Sequence, residues 1–424
     1  MHSLKYQDVV ITISFENYTS GQGGTDKYIR EQQLVFNLSK ISMIHIYPLN
    51  KPKIEAFLHH SLWGMLIDGE FDGFFSIDQL INIFYDISKQ KRIRATILHH
   101  FQWININDIE LLIEKNNSPL ICYIHDYMTV CPNGGLIKNG KNFCGASFPN
   151  KKKCLNCNSY TKDNISRREQ ISGFLHKHSD RLLYVAPSEA CKKIWSKCYK
   201  DNLNNILVIP HQIMKGVYNG NTLYDSNRKV RIAFLGHPLP LKGWNDWVEA
   251  GSKLISNSNY ELYHFGKKEK SLEGVRNVEV DFRHKEKTMI SLLRAYNIDC
   301  AVLWSKVPET YSYTFFEAYS ANCFVVTNEY SGNIADMVKK CHNGYVARKS
   351  ESLYEVLSDR NFIDQLRKFK ESRIFGPDNL VENNEIVNHL PLIKSVFVKK
   401  DFDEKKVKDF PQKILSILYR IKTH

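Results

Sequence analysis

The feature that most constrains this chain is a repeated order of elements, in which a short apolar run leads through a polar loop into a segment of helical periodicity. The first run, DVVITISF at Asp8–Phe15, is followed by a glycine-rich loop and, from Thr25, by apolar residues at helical spacing. Further runs follow at ISMIHIYPL, ATILHHF, LICYIHDYM and RLLYVAPS. Strands that alternate with helices predict a parallel sheet with both faces covered.

The same order begins again with KVRIAFLGHPLPLKGWNDWVEAGSKLI, in which we predict a strand, a glycine-containing loop and a helix that opens at Trp244 or Asn245. More apolar runs follow at YELYHFG, NVEVDF, DCAVLW and CFVVTNE. The sequence therefore predicts an α/β protein with two doubly wound Rossmann-like domains that face a central crevice.

The predicted domain boundaries follow from the point where the pattern restarts. We predict an N-terminal domain over 1–212, with a cysteine-rich basic insertion near 131–160, and a C-terminal domain over 213–398. Residues 399–424 are expected to form a charged crossover that ends in an amphipathic helix over Pro411–Ile421.

Composition and hydropathy restrict the class of protein. Hydrophobic residues make up 43% of the 424 residues, which is ample for packed cores. No run approaches the roughly 18 to 20 apolar residues of a membrane-spanning helix, and charge interrupts the apolar start of the chain. We therefore expect a cytoplasmic protein.

The net charge of +13 is concentrated in one region. Residues 138–200 contain 14 lysines and arginines against four acidic residues. This surplus predicts either a solvated lysine-rich surface or a surface that faces phosphorylated or membrane-borne acceptors. If the acceptor is membrane-borne, the protein would bind peripherally to the inner face of an anionic membrane.

Four of the ten cysteines lie within 27 residues, in the spacing C-x12-C-x9-C-x2-C. A structural zinc site, reduced structural thiols and a redox switch are all compatible with this spacing, because only one of its pairs has the short separation typical of zinc ligands. The candidate ligands are Cys131, Cys144, Cys154 and Cys157.

A glycine-rich loop follows the first strand. Gly21, Gly23 and Gly24 stand just before a helix, where backbone amides and the positive end of the helix dipole can bind an anion. The G-x-G-G spacing differs from the dinucleotide-binding fingerprint, so an ordinary tight turn remains an alternative.

The second domain places an imidazole and an ammonium group in the corresponding loop. His237 follows Gly236, and Lys242 precedes Gly243, at the carboxyl end of the predicted strand. Phosphate groups bind in this position in open α/β sheets, although an exposed loop lysine is the simpler alternative.

Two glutamates mark the segment VPETYSYTFFEAYSANCFVVT. Glu309 is expected to lie before a helix that starts near Tyr313, and Glu317 inside that helix. Both carboxylates can then face one crevice together with helix N-terminal amides that suit a diphosphate. The aromatic neighbours of Glu317 argue against an ordinary surface position.

Together these features resemble the retaining glycosyltransferases of family 4, which have the two-domain GT-B fold. The resemblance covers nearly the whole chain in family order. The segments that carry it are the loop at Gly23 and Gly24, YIHDYMTVCP, APSE at Ala186–Glu189, FLGHPLPLKG and the E-x7-E pair Glu309 and Glu317.

The resemblance implies a role for each site residue. Glu317 would bind the ribose hydroxyls of a nucleotide sugar, and Glu309 and His125 would lie beside the transferred sugar. The diphosphate would contact Lys242 and His237, the loop of Gly23 and Gly24, and the amides of Tyr311, Ser312, Tyr313 and Thr314.

Three positions depart from the family pattern. His237 replaces a frequent arginine, Ser312 replaces a glycine before the helix, and Asn322-Cys323 replaces a glycine-containing turn after it. These departures affect the expected donor geometry more than the fold.

The implied activity is hexosyl transfer, with retention, from a nucleotide sugar to a glycan, lipid-linked or protein acceptor, in cell-envelope polysaccharide or glycoconjugate synthesis. The donor phosphate would help to take the acceptor proton, and no essential divalent metal is expected. His99 and His100, which end the strand ATILHH, are expected to be satisfied loop residues or a second contact to the acceptor.

Two other classes of function remain open from the residues alone. A nucleotide-sugar epimerase or hydrolase on the same fold would release product without an acceptor. A zinc-stabilised nucleic-acid binder would interleave aromatic residues with the lysines of 138–200, where only Phe143, Phe148 and Tyr160 lie near them. We therefore expect no nucleic-acid partner.

Overall fold

The computed structural model describes residues 4–50, 61–150, 152–200, 205–218, 225, 228–267, 271–281, 285–372, 376–391, 397–399 and 416. The predicted helix Pro411–Ile421, apart from Ser416, and Lys151 of the basic segment lie outside these residues. The described chain forms two α/β units, each built around its own sheet.

The first ten strands belong to the N-terminal unit. They are β1 (Asp8–Ile13), β2 (Ile41–Pro48), β3 (Trp63–Ile67), β4 (Glu70–Phe75), β5 (Arg92–Leu98), β6 (Leu120–Tyr123), β7 (Ile137–Lys138), β8 (Asn142–Phe143), β9 (Leu182–Ala186) and β10 (Ile206–Val208). Eight of these described strands form one sheet in the order β10-β9-β6-β5-β1-β2-β3-β4, while β7 and β8 form a separate hairpin. The central strands are apolar on both faces because helices cover both sides.

Five described helices accompany this sheet. They are α1 (Gly24–Leu38), α2 (Ile77–Gln90), α3 (Ile106–Glu114), α4 (Lys162–Lys177) and α5 (Glu189–Trp195). Side chains cap several of their first turns, for example Ser76 at α2 and Ser188 at α5.

One edge of this sheet differs from the predicted parallel arrangement. β3 pairs antiparallel with both β2 and β4, so the sheet is mixed. The β3–β4 turn is Asp68-Gly69, and both residues have a positive φ. An Asp-Gly pair favours a tight hairpin turn of this kind.

The C-terminal unit has a sheet whose described strands are all parallel, in the order β14-β13-β12-β15-β16-β17. A separate ribbon joins β11 and β18 in antiparallel pairing. The bounds are β11 (Gln212–Lys215), β12 (Val230–Leu235), β13 (Tyr260–Gly266), β14 (Arg276–Glu279), β15 (Cys300–Val302), β16 (Phe324–Asn328), β17 (Gly344–Ala347) and β18 (Asn379–Glu382).

Seven further described helices follow in chain order. They are α6 (Trp244–Leu254), α7 (Met289–Ala295), α8 (Tyr313–Ser320), α9 (Asn333–Cys341), α10 (Leu353–Ser358), α11 (Arg360–Glu371) and α12 (Glu385–Asn388). Short 3-10 turns occur at Pro240–Lys242 and Lys285–Lys287.

After β18 the chain returns to the N-terminal unit. Ile386 and Leu390 are buried in the same cluster as strands β1 and β2, and Arg94 of β5 donates to the carbonyl oxygen of Leu390 at 2.6 Å. Phe397 packs against Phe84 of α2. The described part of this return begins near residue 385. The crossover predicted over 399–424 lies outside the described residues apart from Lys399 and Ser416.

Candidate functional site

The loops that follow β1, β6, β12 and β15 come together at a cavity of about 590 Å³ between the two units. Such loops stand at the carboxyl ends of parallel strands, where open α/β sheets bind ligands. Among the described residues, the predicted site residues that line the cavity are Gly23, Gly24, His125, His237, Lys242, Glu309, Tyr311, Ser312, Tyr313 and Thr314.

The side chain of Asp26 holds the glycine loop that follows β1. The Gly23 amide donates to a carboxylate oxygen of Asp26 at 3.0 Å. A Cβ atom on Gly21 would lie 2.3 Å from the same carboxyl group, so a larger residue there would displace the Asp26 side chain. Because the Gly23 amide is committed to Asp26, the loop can offer an anion the amides of Gly24 and Thr25 in the first turn of α1.

Lys242 is the last residue of the 3-10 turn before α6. The close packing of the next residue, Gly243, fixes the backbone at this point. Gly243 has φ 86°, and a Cβ atom there would lie 2.1 Å from the Trp304 carbonyl oxygen. The Lys242 ammonium group lies 2.6 Å from a Glu309 carboxylate oxygen, which also accepts from the Ser305 hydroxyl at 2.7 Å. The predicted cation and the first predicted glutamate therefore form one ion pair.

The backbone of Glu309 is tied to the turn before α9. Its amide donates to the Ser331 carbonyl oxygen at 3.2 Å, and its carbonyl oxygen accepts from the Asn333 amide at 2.9 Å. The Glu309 side chain is only 12% exposed. Its position is therefore set by the fold as well as by Lys242.

Ser312, which replaces a glycine of the family pattern, fits the start of α8 without strain. Its φ of −131° is accessible to any residue, so no glycine is required. Its hydroxyl caps α8 by accepting from the Phe315 amide at 3.2 Å. The amides of Tyr313 and Thr314 then begin the helix at the cavity wall.

The turn after α8 accommodates Asn322-Cys323, a further departure from the family pattern. Asn322 has φ 56°, a left-handed conformation that asparagine tolerates better than most residues. Cys323 is fully buried in the core of the C-terminal unit. α8 thus ends, and β16 begins, without a glycine in this turn.

Glu317 lies inside α8, as predicted, but outside the described residues that line the cavity. Its carboxylate faces the N-terminal unit, where Lys27 of α1 lies 3.3 Å away. The Lys27 ammonium group also lies 4.0 Å from the centre of the Tyr313 ring. No local sequence pattern indicates this partner, because the two residues are 290 positions apart.

A second polar contact joins α1 to α8 beside this pair. Glu31 accepts from the Tyr313 hydroxyl at 2.9 Å and from the Gln212 side-chain amide at 3.0 Å. Burial raises the pKa of Glu31 from its ordinary value of 4.5 to about 7, against the opposing effects of Lys27 and the Tyr313 hydroxyl. The interface therefore contains a carboxyl group that titrates near neutral pH.

His125 belongs to a buried group of imidazoles. One of its ring nitrogens lies 3.0 Å from a ring nitrogen of His99, and its ring is stacked on that of Tyr123. Burial lowers the pKa of His125 to about 3, with a further contribution from His100. His125 is therefore neutral at physiological pH, and it can act as a hydrogen-bonding group but not as a cation.

The backbone of His125 also fastens the two units together. Its carbonyl oxygen accepts from the Thr310 hydroxyl at 2.6 Å. The Thr310 carbonyl oxygen in turn accepts from the hydroxyl of Ser188, in the APSE segment, at 2.7 Å. His125 of the segment YIHDYMTVCP and Ser188 of APSE thus both bind Thr310, the residue next to Glu309.

His211 is a cavity residue that the sequence analysis missed. It is 4% exposed, and its ring centre lies 4.1 Å from that of Tyr28 and 4.6 Å from that of Tyr311. Burial lowers its pKa well below the ordinary value. Its position just after β10, at the carboxyl edge of the sheet, is the signal that could have identified it. Gln22, Thr25, Lys267 and Ser305 also line the cavity without having been predicted.

The structure does not support the predicted zinc site. In the part of the chain that is described, which includes Cys131, Cys144, Cys154 and Cys157, no group of three or more potential ligands is arranged to hold a metal ion. Cys131 and Cys154 are instead buried in the hydrophobic core of the N-terminal unit, and Cys144 packs against it. The Cys154 sulfur also accepts from the Asn150 amide. Burial raises the pKa of Cys131 to about 12, which favours a thiol there.

Part of the basic surplus in 138–200 has an internal role. Arg181 donates to the carbonyl oxygens of Asn116 and Ile113 at the end of α3, and Lys177 pairs with Glu110 and Glu114. Other lysines are exposed, among them Lys141, Lys152, Lys153, Lys162, Lys193, Lys197 and Lys200. Across the described residues, no helix is both long and apolar enough to cross a bilayer.

Solved structures with the same arrangement of two units cover most of the chain. Sucrose-phosphate synthase from Thermosynechococcus elongatus matches with a TM-score of 0.55 at 11% identity, over 87% of this chain and 94% of that one. A glycosyltransferase from Rickettsia africae matches with a TM-score of 0.52 at 14% identity, over 91% and 95%. Anabaena HepE, solved with UDP-glucose, matches with a TM-score of 0.50 at 11% identity, over 96% and 99%.

The chain has the GT-B fold. The prediction of two Rossmann-like domains that face a central crevice is thus confirmed. At these identities the likeness concerns the fold alone. No family model matches the sequence, and no curated protein matches it either.

Proposed function

We propose that the protein is a glycosyltransferase that moves a sugar, with retention, from a nucleotide sugar to a glycan, lipid-linked or protein acceptor. The observation that carries the proposal is the cavity between the two units, which gathers a helix N-terminus from each unit, Lys242 and Glu309. Fold alone would not support an activity, because one fold hosts many functions. The HepE structure holds UDP-glucose, which suggests the class of donor.

The diphosphate of the donor fits the side of the cavity formed by the C-terminal unit. The amides of Tyr313 and Thr314, at the N-terminus of α8, can donate to phosphate oxygens. Lys242, whose ammonium group pairs with Glu309, would also contact a phosphate oxygen, and His237, exposed in the same loop, would add a weaker positive charge. Glu317 would bind the ribose, and Gly24 would approach the diphosphate from the opposite unit.

The proposed reaction breaks the bond between the donor C1 atom and the diphosphate oxygen, and forms a bond from C1 to an acceptor hydroxyl oxygen on the same face. The acceptor proton passes to the leaving phosphate, so a nucleoside diphosphate is the second product. Negative charge grows on the leaving oxygen, and Lys242 and the α8 amides would stabilise it. The neutral imidazole of His125 and the carboxylate of Glu309 would orient the sugar by hydrogen bonds.

Calorimetric titration with UDP-, GDP-, ADP- and dTDP-sugars tests the donor. We expect one nucleoside class to bind, and Glu317→Gln to weaken that binding without unfolding the protein. Absence of binding by every nucleotide sugar would reject the proposal. Because Lys242 and amides supply the positive charge in this proposal, turnover should continue in EDTA.

Turnover assays then separate transfer from the alternatives on the same fold. A transferase should release nucleoside diphosphate faster when an acceptor is present. Release at the same rate without an acceptor would instead indicate a hydrolase, and conversion of the nucleotide sugar without release of diphosphate would indicate an epimerase.

The exposed lysines of 138–200 support a further part of the proposal, namely reversible contact with an anionic membrane that presents a lipid-linked acceptor. Each lysine near such a surface contributes about 1 kcal/mol of binding free energy. Sedimentation with anionic vesicles should therefore be weakened in Lys152→Ala/Lys153→Ala but unchanged in Lys339→Ala/Lys340→Ala, which removes an exposed pair from α9. Equal sedimentation of both variants and the parent would reject this role for the segment.

A further inference from the structure

Trp103 lies in the loop between β5 and α3 and is 62% exposed. Its φ of 56° is a left-handed conformation that is rare for a bulky side chain. Its neighbours Phe101 and Ile104 are buried, with 4% and 3% exposure. The Trp103 side chain is thus turned outward in a loop whose other large apolar residues are buried.

The loop that presents Trp103 is held rigidly on both sides. The Arg167 guanidinium donates to the Phe101 carbonyl oxygen at 2.7 Å and to the Ile104 carbonyl oxygen at 2.6 Å. The Gln102 amide donates to a ring nitrogen of His100 at 2.9 Å. The exposure of the indole is therefore built into the loop.

A row of side chains leads from Trp103 to the cavity. Phe15 lies edge-on to Trp103, with ring centres 5.8 Å apart, and its ring centre is 4.8 Å from that of His100. The other His100 ring nitrogen donates to Asp126 at 2.9 Å, and Asp126 directly follows the cavity residue His125. An apolar surface and a carboxylate therefore lie side by side next to the proposed reaction site.

Asp126 retains capacity to accept hydrogen bonds from a ligand. One oxygen accepts from His100 and the other from the Met128 amide at 2.9 Å, while each carboxylate oxygen has two acceptor positions. Its side chain is 37% exposed. Burial opposes its ionisation, but His100 and the Met128 amide hold its pKa below the ordinary value, so the group is a carboxylate.

We propose that Trp103, Phe15 and Asp126 form a subsite for one pyranose ring of a glycan acceptor. A pyranose carries C–H groups on a face that can stack on an indole, and hydroxyls at its edge that can donate to a carboxylate. The row is too small for a stable protein interface, and the charge of Asp126 disfavours an anionic lipid surface. The inference rests on the proposed function, since it names the acceptor class of the same site.

The test measures binding of maltose, cellobiose, lactose, α-1,2-mannobiose and N,N′-diacetylchitobiose by saturation-transfer NMR on the full chain. We expect at least one disaccharide to bind the parent, and Trp103→Ala to weaken that binding about five- to tenfold. Trp103→Phe, which keeps an aromatic face, should retain most of it. Failure of every disaccharide to bind the parent, or equal binding by Trp103→Ala, would overturn the proposal.

Two controls separate this outcome from others. Leu38→Ala removes an exposed apolar side chain from the end of α1 and should leave disaccharide binding unchanged. Nucleotide-sugar binding is measured on the same variants, and Trp103→Ala should not alter it. Disaccharide binding at Trp103 without nucleotide-sugar binding would retain the subsite and reject the transferase, whereas the reverse result would reject the subsite alone.

Discussion

The ammonium group of Lys27 lies 3.3 Å from a carboxylate oxygen of Glu317, and this contact joins the two units beside the cavity. Both side chains are partly buried, with 27% and 18% exposure. The resemblance assigns Glu317 to the ribose hydroxyls of the donor. Lys27 and the ribose would therefore compete for one carboxylate.

A double-mutant cycle with Lys27→Met and Glu317→Gln measures this contact. For a partly buried pair we expect a coupling of about 1 kcal/mol in the free energy of unfolding. The coupling should fall when a bound nucleotide sugar takes over the carboxylate. A coupling that is the same with and without the donor would contradict the competition.

Lys242→Ala should lower turnover about a hundredfold, because removal of one group that stabilises a developing charge has an effect of this size. Its stability should fall by less than about 1 kcal/mol, since Lys242 is 46% exposed. Steady-state kinetics and chemical unfolding measure the two effects. Lys253→Ala, which breaks the exposed Lys253–Glu249 pair on α6, serves as the matched control and should leave turnover unchanged. Parental turnover in Lys242→Ala would exclude its proposed role.

Glu31→Gln should change how stability depends on pH. The Glu31 carboxyl keeps its proton to about pH 7 in the folded state but ionises near 4.5 when unfolded, so the folded state binds more protons between these values. Stability therefore decreases as the pH rises through this window, by about 3 kcal/mol for this group. Denaturant unfolding at pH 5 and pH 8 should show a smaller decrease in the variant. An equal decrease in stability in the parent and the variant would indicate that folding does not raise the pKa of Glu31.

The buried histidines should make stability depend on pH with the opposite sign, so that stability rises as the pH rises. The folded-state pKa of His125 is about 3, against 6.5 when unfolded, so the unfolded state binds more protons in this window. Stability is lost as the pH falls below about 6.5, and His99 and His211 add to the effect because burial lowers their pKa as well. His125→Gln should make the slope of unfolding free energy against pH shallower by up to about 1.4 kcal/mol per pH unit. An unchanged slope between pH 4 and 6 would show that His125 titrates normally.

Strands, loops and helices that are determined by residues close together in the sequence were predictable. The helix at Trp244 begins where the sequence placed it, and Glu309 and Glu317 lie before and inside α8. In each case a strand, a loop and an amphipathic helix follow one another, so the local pattern decides the structure.

Contacts between distant residues were not predictable. Lys27 meets Glu317 only because α1 and α8 face each other across the cleft, and nothing in either local sequence names the partner. The cysteine spacing suggested a metal, whereas Cys131 and Cys154 pack as small apolar residues. His211 acquires its position at the cavity from the end of β10, an edge strand of the sheet.

The pairing of β11 with β18 has a consequence for how a substrate could enter. The chain leaves the N-terminal unit through β11 and turns back toward it after β18, and Gln212 lies opposite Glu382 while Lys215 lies opposite Asn379. Because both crossings run side by side as one hydrogen-bonded ribbon, rotation of the units would bend this ribbon about a single hinge axis. Opening would separate Lys27 from Glu317 and Thr310 from His125. Closing would restore the Thr310–His125 contact around the bound donor, whose ribose would replace Lys27 at Glu317.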